Sequence, residues 1–300
     1  MPTQTSAAFA GLWVPLVTPF RGGAVDHEAL GALTRRLAPA GVAGFVVCGS
    51  TGEAAALDED EQLACLATVA RHAGGRPFMM GLSGYHLGAT RAWVRSVSAL
   101  AASQVPGLCG LLVPAPHYVR PSQDGLRAWF EGLADASALP LILYDIPYRT
   151  GAVITRETLL ALAAHPNIRA VKDCGGDAGK TQALIADGRL AVLAGEDLQI
   201  FSTVALGGAG AIAASAHLHT SRFAAVLEAL ARSELSAARA LWWPLVPLIE
   251  ALFAEPNPGP LKALLAGQGM MRGELRAPLT GASTALRERL AAIDASLGHG

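Results

Sequence analysis

Eight short apolar runs alternate with amphipathic segments up to about residue 230 of this 300-residue chain, and no other feature narrows its fold as far. The runs are Leu12 to Val17, Gly44 to Val47, Pro77 to Met80, Gly110 to Val113, Leu141 to Tyr144, Ala170 to Lys172, Ala191 to Leu193 and Ala211 to Ala213. Helix-like stretches separate them: Asp26 to Ala38, Asp58 to His72, Ala89 to Ser103, Ser122 to Ala134, Thr155 to Ala163, Ala178 to Asp187, Leu198 to Leu206 and Ser221 to Ala231. Regular alternation of this kind implies parallel strands joined by crossover helices. Eight such units fit an α/β fold of the (β/α)8 TIM-barrel type better than a doubly wound sheet, because no glycine-rich dinucleotide fingerprint follows the first strand. Asp26 and the acidic run Asp58-Glu59-Asp60-Glu61 stand at helix starts, where negative charge meets the helix dipole.

The barrel is expected over residues 1–230, with residues 231–300 as a C-terminal helical extension packed on it. That extension holds Trp242-Trp243-Pro244, the turn-rich Glu255 to Pro260, and helix-like Leu261 to Ala266 and Ser283 to Ala292. Hydrophobic residues make up 52% and charged residues 16%, with a net charge of −1, so no field attracts nucleic acid or anionic membrane. Met1 to Ala10 has no basic start or long apolar stretch and reads as a short flexible arm with no secretory signal. No segment has the ~20 apolar residues of a membrane span, and a cytoplasmic protein is expected. Cys48, Cys65, Cys109 and Cys174 lack the spacing of a zinc or redox motif and read as small core residues.

Only three residues are lysine, and Lys172 ends the apolar run Ile168 to Lys172. Arginine supplies the other cations, so a lysine at a strand end invites a chemical explanation. Arginine stays protonated, whereas a desolvated lysine can lose its proton and attack a carbonyl carbon. Two readings stand at this point: a Schiff-base lysine, and a strand-end lysine reaching solvent. Lys180 and Lys262 lie near helix starts, where surface or packing roles suffice.

Active sites of such barrels form at the C-terminal strand ends, and polar residues gather there. Gly49-Ser50-Thr51-Gly52-Glu53 follows the second run, with two hydroxyls and successive N–H groups suited to a small carboxylate. A plain turn is the other reading. Tyr144 ends the fifth run, either as a proton shuttle for Lys172 or as a buried tyrosine satisfying a hydrogen bond. Arg149, just beyond, offers a guanidinium fork to a substrate carboxylate or is simply solvated. His217-Leu-His219 and Glu196-Asp197 are the only metal candidates and give no three-ligand set, so no metal is expected.

Gly49-Ser-Thr-Gly-Glu53, Arg120-Pro-Ser-Gln-Asp-Gly125, Tyr144-Asp-Ile-Pro147 with Arg149-Thr-Gly151, Val171-Lys172-Asp173 and Phe253-Ala-Glu-Pro-Asn-Pro258 occur in the order and spacing of a known family. Over nearly its whole length the chain resembles the pyruvate-dependent class I aldolase superfamily that includes dihydrodipicolinate synthase and N-acetylneuraminate lyase. The resemblance implies that Lys172 forms an imine with pyruvate, that Tyr144 moves protons, and that Ser50 and Thr51 hold the keto-acid carboxylate. Gly52 and Ile212 join them as substrate-binding positions. Tyr118 resembles a tyrosine lent across a subunit interface to complete a hydroxyl relay through Ser50 to Tyr144, which implies a homotetramer built as a dimer of dimers. Arg149 resembles the arginine that receives the carboxylate of aspartate semialdehyde and favours the synthase branch.

The resemblance therefore implies condensation of pyruvate with L-aspartate 4-semialdehyde to hydroxytetrahydrodipicolinate, in lysine and diaminopimelate biosynthesis. No cofactor is implied beyond the covalent imine on Lys172. The alternatives are a related aldolase, lyase or dehydratase acting on sialic acid or 2-keto-3-deoxy sugar acids, and, in another class, a non-catalytic barrel that binds a keto acid as a regulator. Departures from the synthase pattern are Ser50 for a threonine, Asp145 for an asparagine, Cys174-Gly-Gly176 after the lysine, and His117 for a second tyrosine, with inhibitor-site residues that do not match feedback by lysine.

Overall fold

The computed structural model describes residues 8–101, 104–298. The first seven residues of the expected N-terminal arm, and the expected helix end at Ser103, lie outside the described residues. Each of the eight apolar runs overlaps a strand: β1 (Gly11–Pro15), β2 (Gly44–Val47), β3 (Phe78–Gly81), β4 (Leu108–Pro114), β5 (Leu141–Asp145), β6 (Ile168–Asp173), β7 (Ala191–Ala194) and β8 (Gly210–Ile212). Their order closes as β1-β8-β7-β6-β5-β4-β3-β2, a parallel (β/α)8 barrel. A strand covered on both sides buries successive residues, which is why these segments read as continuous apolar runs rather than as an alternation. Every residue of β2, β3, β5 and β7 is buried.

The helices that follow are α1 (His27–Leu37), α2 (Glu59–His72), α3 (Leu87–Ala101), α4 (Gln123–Ala134), α5 (Arg156–Leu162), α6 (Ala178–Asp187), α7 (Ile200–Ala205) and α8 (Thr220–Ala231). Their starts follow capping chemistry. Asp26 accepts from the Ala29 N–H at 3.1 Å, Ser122 from Gly125 at 3.2 Å, and Asp177 from Lys180 at 3.0 Å. In the acidic run, Asp58 accepts from the Glu61 N–H at 2.8 Å while the Glu61 carboxylate accepts from the Asp58 N–H at 3.2 Å, a capping box.

Beyond α8 come α9 (Leu235–Trp242), α10 (Val246–Leu252), α11 (Gly259–Gly267) and α12 (Thr284–Leu297). The sequence reading expected the last two and missed α9 and α10, which flank Trp242-Trp243-Pro244. Prolines in the first turns of the short helices here break no helix, because the missing N–H would have had no intrahelical partner. A two-stranded ribbon, Phe20–Arg21 against Ala24–Val25, also escaped the reading. Its signal was Gly22-Gly23, both at positive φ (61° and 83°), as a tight hairpin turn requires.

The described residues gather into two compact units. One holds β3 to β8 and helices α3 to α7. The other holds β2, nearly all of β1, the ribbon, α1, α2 and α8 to α12. In the second unit α12 packs on both α10 and α11.

Candidate active site

In the first unit, parallel register sets Tyr144 at the end of β5 beside Lys172 near the end of β6. Both are buried, at 7% and 6% exposure, and the Lys172 Nζ lies 3.3 Å from the Tyr144 hydroxyl and 4.4 Å from its ring centre. This settles against a lysine reaching solvent. All three lysines are in fact buried, Lys180 at 4% and Lys262 at 0%, which decides for packing over surface roles in the other two. Those two are neutralised: Lys180 by Asp145, and Lys262 by Glu53 at 2.6 Å. Lys172 has no carboxylate partner among the described residues. No ion pair therefore has to be broken for the amine to reach a carbonyl carbon.

The floor beneath this pair is tight. A side-chain carbon on Gly195 would come 2.8 Å from Lys172 Cγ, 3.0 Å from the Asp173 carbonyl, and against Cys174 Sγ, so glycine after β7 leaves Lys172 its place. Burial pushes the Cys174 thiol pKa up and that of Cys109 to about 12, so neither offers a thiolate. Asp145, a departure from the synthase pattern, makes sense beside Lys180, whose Nζ also donates to the Ile154 carbonyl at 3.2 Å. Burial raises the Asp145 carboxyl pKa while Lys180 opposes the rise. Gly175 is required here, because a side chain would meet both charged groups at 2.5 Å.

Arg149 stands exposed on the one-turn helix Pro147–Thr150, with its guanidinium 5.8 Å from the Tyr148 ring centre. Tyr118, after β4, is 89% exposed and held at φ 74°. Positive φ is unusual for an aromatic residue, and such strain gathers at functional sites. The neighbouring His117 packs edge-on to Tyr85, with ring centres 5.3 Å apart. Ile212 is fully buried at the end of β8.

In the second unit, the turn after β2 runs between Cys48 and Glu53, both left-handed at φ 55° and 54°. The Gly52 N–H donates to the Gly49 carbonyl at 3.0 Å, and the Gly52 carbonyl accepts from the Thr18 hydroxyl at 2.7 Å. A side chain at Gly52 would meet the Leu16 carbonyl at 2.9 Å, so its visible contribution is to turn shape. No hydrogen bond among the described residues uses the N–H groups of Ser50 or Thr51. Ser50 is half-buried and Thr51 buried. Sequence reading missed what secures this turn: Asn257, Lys262 and Arg276, all from the C-terminal extension.

Of the metal candidates, His217 is fully buried, with Nδ1 donating to the Ala214 carbonyl at 2.8 Å and Nε2 accepting from the Val17 N–H at 3.2 Å. Burial holds its pKa at about 4. His219 pairs with Asp294 at 2.9 Å. Both histidines are thus engaged in packing.

A parallel (β/α)8 barrel with an uncompensated buried lysine and a tyrosine at adjacent strand ends defines the class of Schiff-base barrel proteins. Residues 8–295 match the Dihydrodipicolinate synthetase family, and the chain belongs to it. It is 40% identical over 297 residues to 4-hydroxy-tetrahydrodipicolinate synthase 1 of Streptomyces coelicolor, covering 98% of this chain and 95% of that one. Among solved structures, the chloride-inhibited dihydrodipicolinate synthase of Acinetobacter baumannii, complexed with pyruvate, superposes with a TM-score of 0.90 at 31% identity, covering 96% of this chain and 99% of that one. The synthase of Aquifex aeolicus gives a TM-score of 0.91 at 29% identity, covering 96% and 98%.

Proposed function

We propose that this protein condenses pyruvate with L-aspartate 4-semialdehyde through an imine on Lys172. The observation that carries the reading is the buried Lys172 amine, without a counterion and 3.3 Å from the Tyr144 hydroxyl. The amine adds to the pyruvate ketone, and loss of water gives the imine. The imine acidifies the adjacent methyl group, and Tyr144 accepts a proton from it to leave an enamine. The enamine carbon attacks the aldehyde. The substrate's own amine then closes the ring and displaces Lys172, yielding hydroxytetrahydrodipicolinate. The imine is the electron sink throughout, so no further cofactor is assigned.

Ser50 and Thr51 are assigned to the pyruvate carboxylate, as their uncommitted N–H groups support. Arg149 takes the carboxylate of the semialdehyde. Tyr118, exposed and strained, is assigned as the residue one subunit lends to another within a homotetramer. No helix is long and apolar enough to cross a membrane among the described residues.

Incubation with pyruvate and borohydride, followed by peptide mass analysis, is expected to show a reduced adduct on Lys172. Its absence from folded protein would sink the imine reading. Substrate choice is tested by comparing aspartate semialdehyde with a panel of 2-keto-3-deoxy sugar acids. In Arg149→Ala, loss of a charge-assisted contact worth about 1.5–3 kcal/mol should lower kcat/KM for the semialdehyde by about 10- to 100-fold. Adduct formation with pyruvate alone should be unchanged. Equal kinetics for parent and variant would remove Arg149 from its role.

A further inference from the structure

The landmark Phe253 to Pro258 reaches the Gly49–Glu53 turn through Asn257, whose side-chain Nδ2 donates to Thr51 Oγ1 at 3.0 Å across a sequence separation of 206 residues. Both side chains are buried, at 9% and 4% exposure. A threonine hydroxyl has one proton to give and two lone pairs to accept with. The amide of Asn257 occupies an acceptor position, and Thr51 Oγ1 has no other hydrogen-bond partner among the described residues. Its proton is therefore left for an incoming acceptor.

We propose that Asn257 is a positioning residue that fixes the Thr51 hydroxyl as a donor toward the keto-acid carboxylate. This rests on the assignment of Thr51 to that carboxylate. The same C-terminal segment holds the rest of the turn. Lys262 Nζ donates to Glu53 Oε1 at 2.6 Å and to the Thr18 carbonyl at 2.8 Å, and Thr18 in turn holds Gly52. The Arg276 N–H donates to the other Glu53 oxygen at 3.1 Å. Lys262 and Arg276 thus fix the shape of the turn, and Asn257 fixes its polarity. A carboxylate in place of the Asn257 amide would reverse that polarity, drawing the hydroxyl proton to itself and setting negative charge beside the substrate's own.

The pyruvate concentration giving half-maximal borohydride trapping is measured for the parent, Asn257→Asp, Asn257→Ala and Thr51→Val. Thr51→Val is expected to raise it by about 10- to 100-fold. Asn257→Asp should raise it at least about tenfold near pH 8, with turnover at saturating pyruvate changed far less. Its gap from the parent should narrow as the pH falls, because burial raises a carboxyl pKa and a protonated carboxyl can again donate to Thr51. Asn257→Ala should show a smaller gap that does not depend on pH. If the aspartate variant does not fold, the cycle of Asn257→Ala and Thr51→Val carries the test: together they should cost no more than Thr51→Val alone. Parent-like trapping by the Asn257 variants, a pH-independent gap for Asn257→Asp, or simple additivity in the cycle would each overturn the proposal. Unchanged trapping by Thr51→Val would instead overturn the carboxylate assignment, and the proposal with it.

Discussion

Lys172→Met is expected to form no pyruvate adduct and to lose turnover by at least about four orders of magnitude, while unfolding in urea within about 1 kcal/mol of the parent. The two halves of this result have separate physical causes. Methionine matches the length of the lysine stem but has no amine, so neither imine nor enamine can form. Stability survives because removing the Lys172 amine strands no carboxylate, since its side-chain partner is the Tyr144 hydroxyl at 3.3 Å. An apolar thioether also suits a site that is 6% exposed. Trapping followed by mass analysis, steady-state kinetics and a urea titration check the three parts. Residual turnover near the parent's rate would remove Lys172 from the chemistry. A large fall in stability would mean that the amine makes stabilising contacts beyond the Tyr144 hydroxyl.

The same substitution at Lys262 should behave in the opposite way. Lys262 is fully buried against Glu53, also buried, and its ammonium sits 4.3 Å from the Phe20 ring centre, with Arg276 4.5 Å from the same ring. Burial lowers the Lys262 pKa while Glu53 pulls it back up, so the lysine depends on its partner for its charge. Lys262→Met leaves Glu53 buried without its cation, which costs about 3–5 kcal/mol in comparable pairs. A urea unfolding midpoint is the measurement. A second variant, Lys262→Met with Glu53→Gln, should recover much of the loss, because the stranded charge has gone. If the single variant is as stable as the parent, the pair is not the clamp described above.

The barrel was legible because strands covered on both faces leave uninterrupted apolar runs, and because Asp26, Asp58 and Ser122 mark helix starts with side chains that cap them. The pairing at the candidate site was legible where it depends on strand ends: Tyr144 and Lys172 are the next-to-last residues of consecutive strands, and parallel register sets them side by side. Where it depends on the path of the C-terminal extension, nothing local announces it. Asn257 lies between two prolines and reads as a turn residue, and its partner Thr51 is 206 positions away. Lys180 and Lys262 were left between surface and packing roles for a related reason. A lone charge near a helix start normally faces water, and only the folded chain reveals the carboxylates that Asp145 and Glu53 bring to them.

The burial of all three lysines also gives the protein an unusual outer face, whose cationic side chains are guanidinium rather than primary amine. Acylating dyes, aldehyde crosslinkers and reductive methylation act on exposed uncharged amines, and among side chains they meet a nearly blank surface. Among the three lysines, only Lys172 lacks an ion pair among the described residues. Any acylation that does reach a lysine would then fall first on the residue proposed to carry turnover.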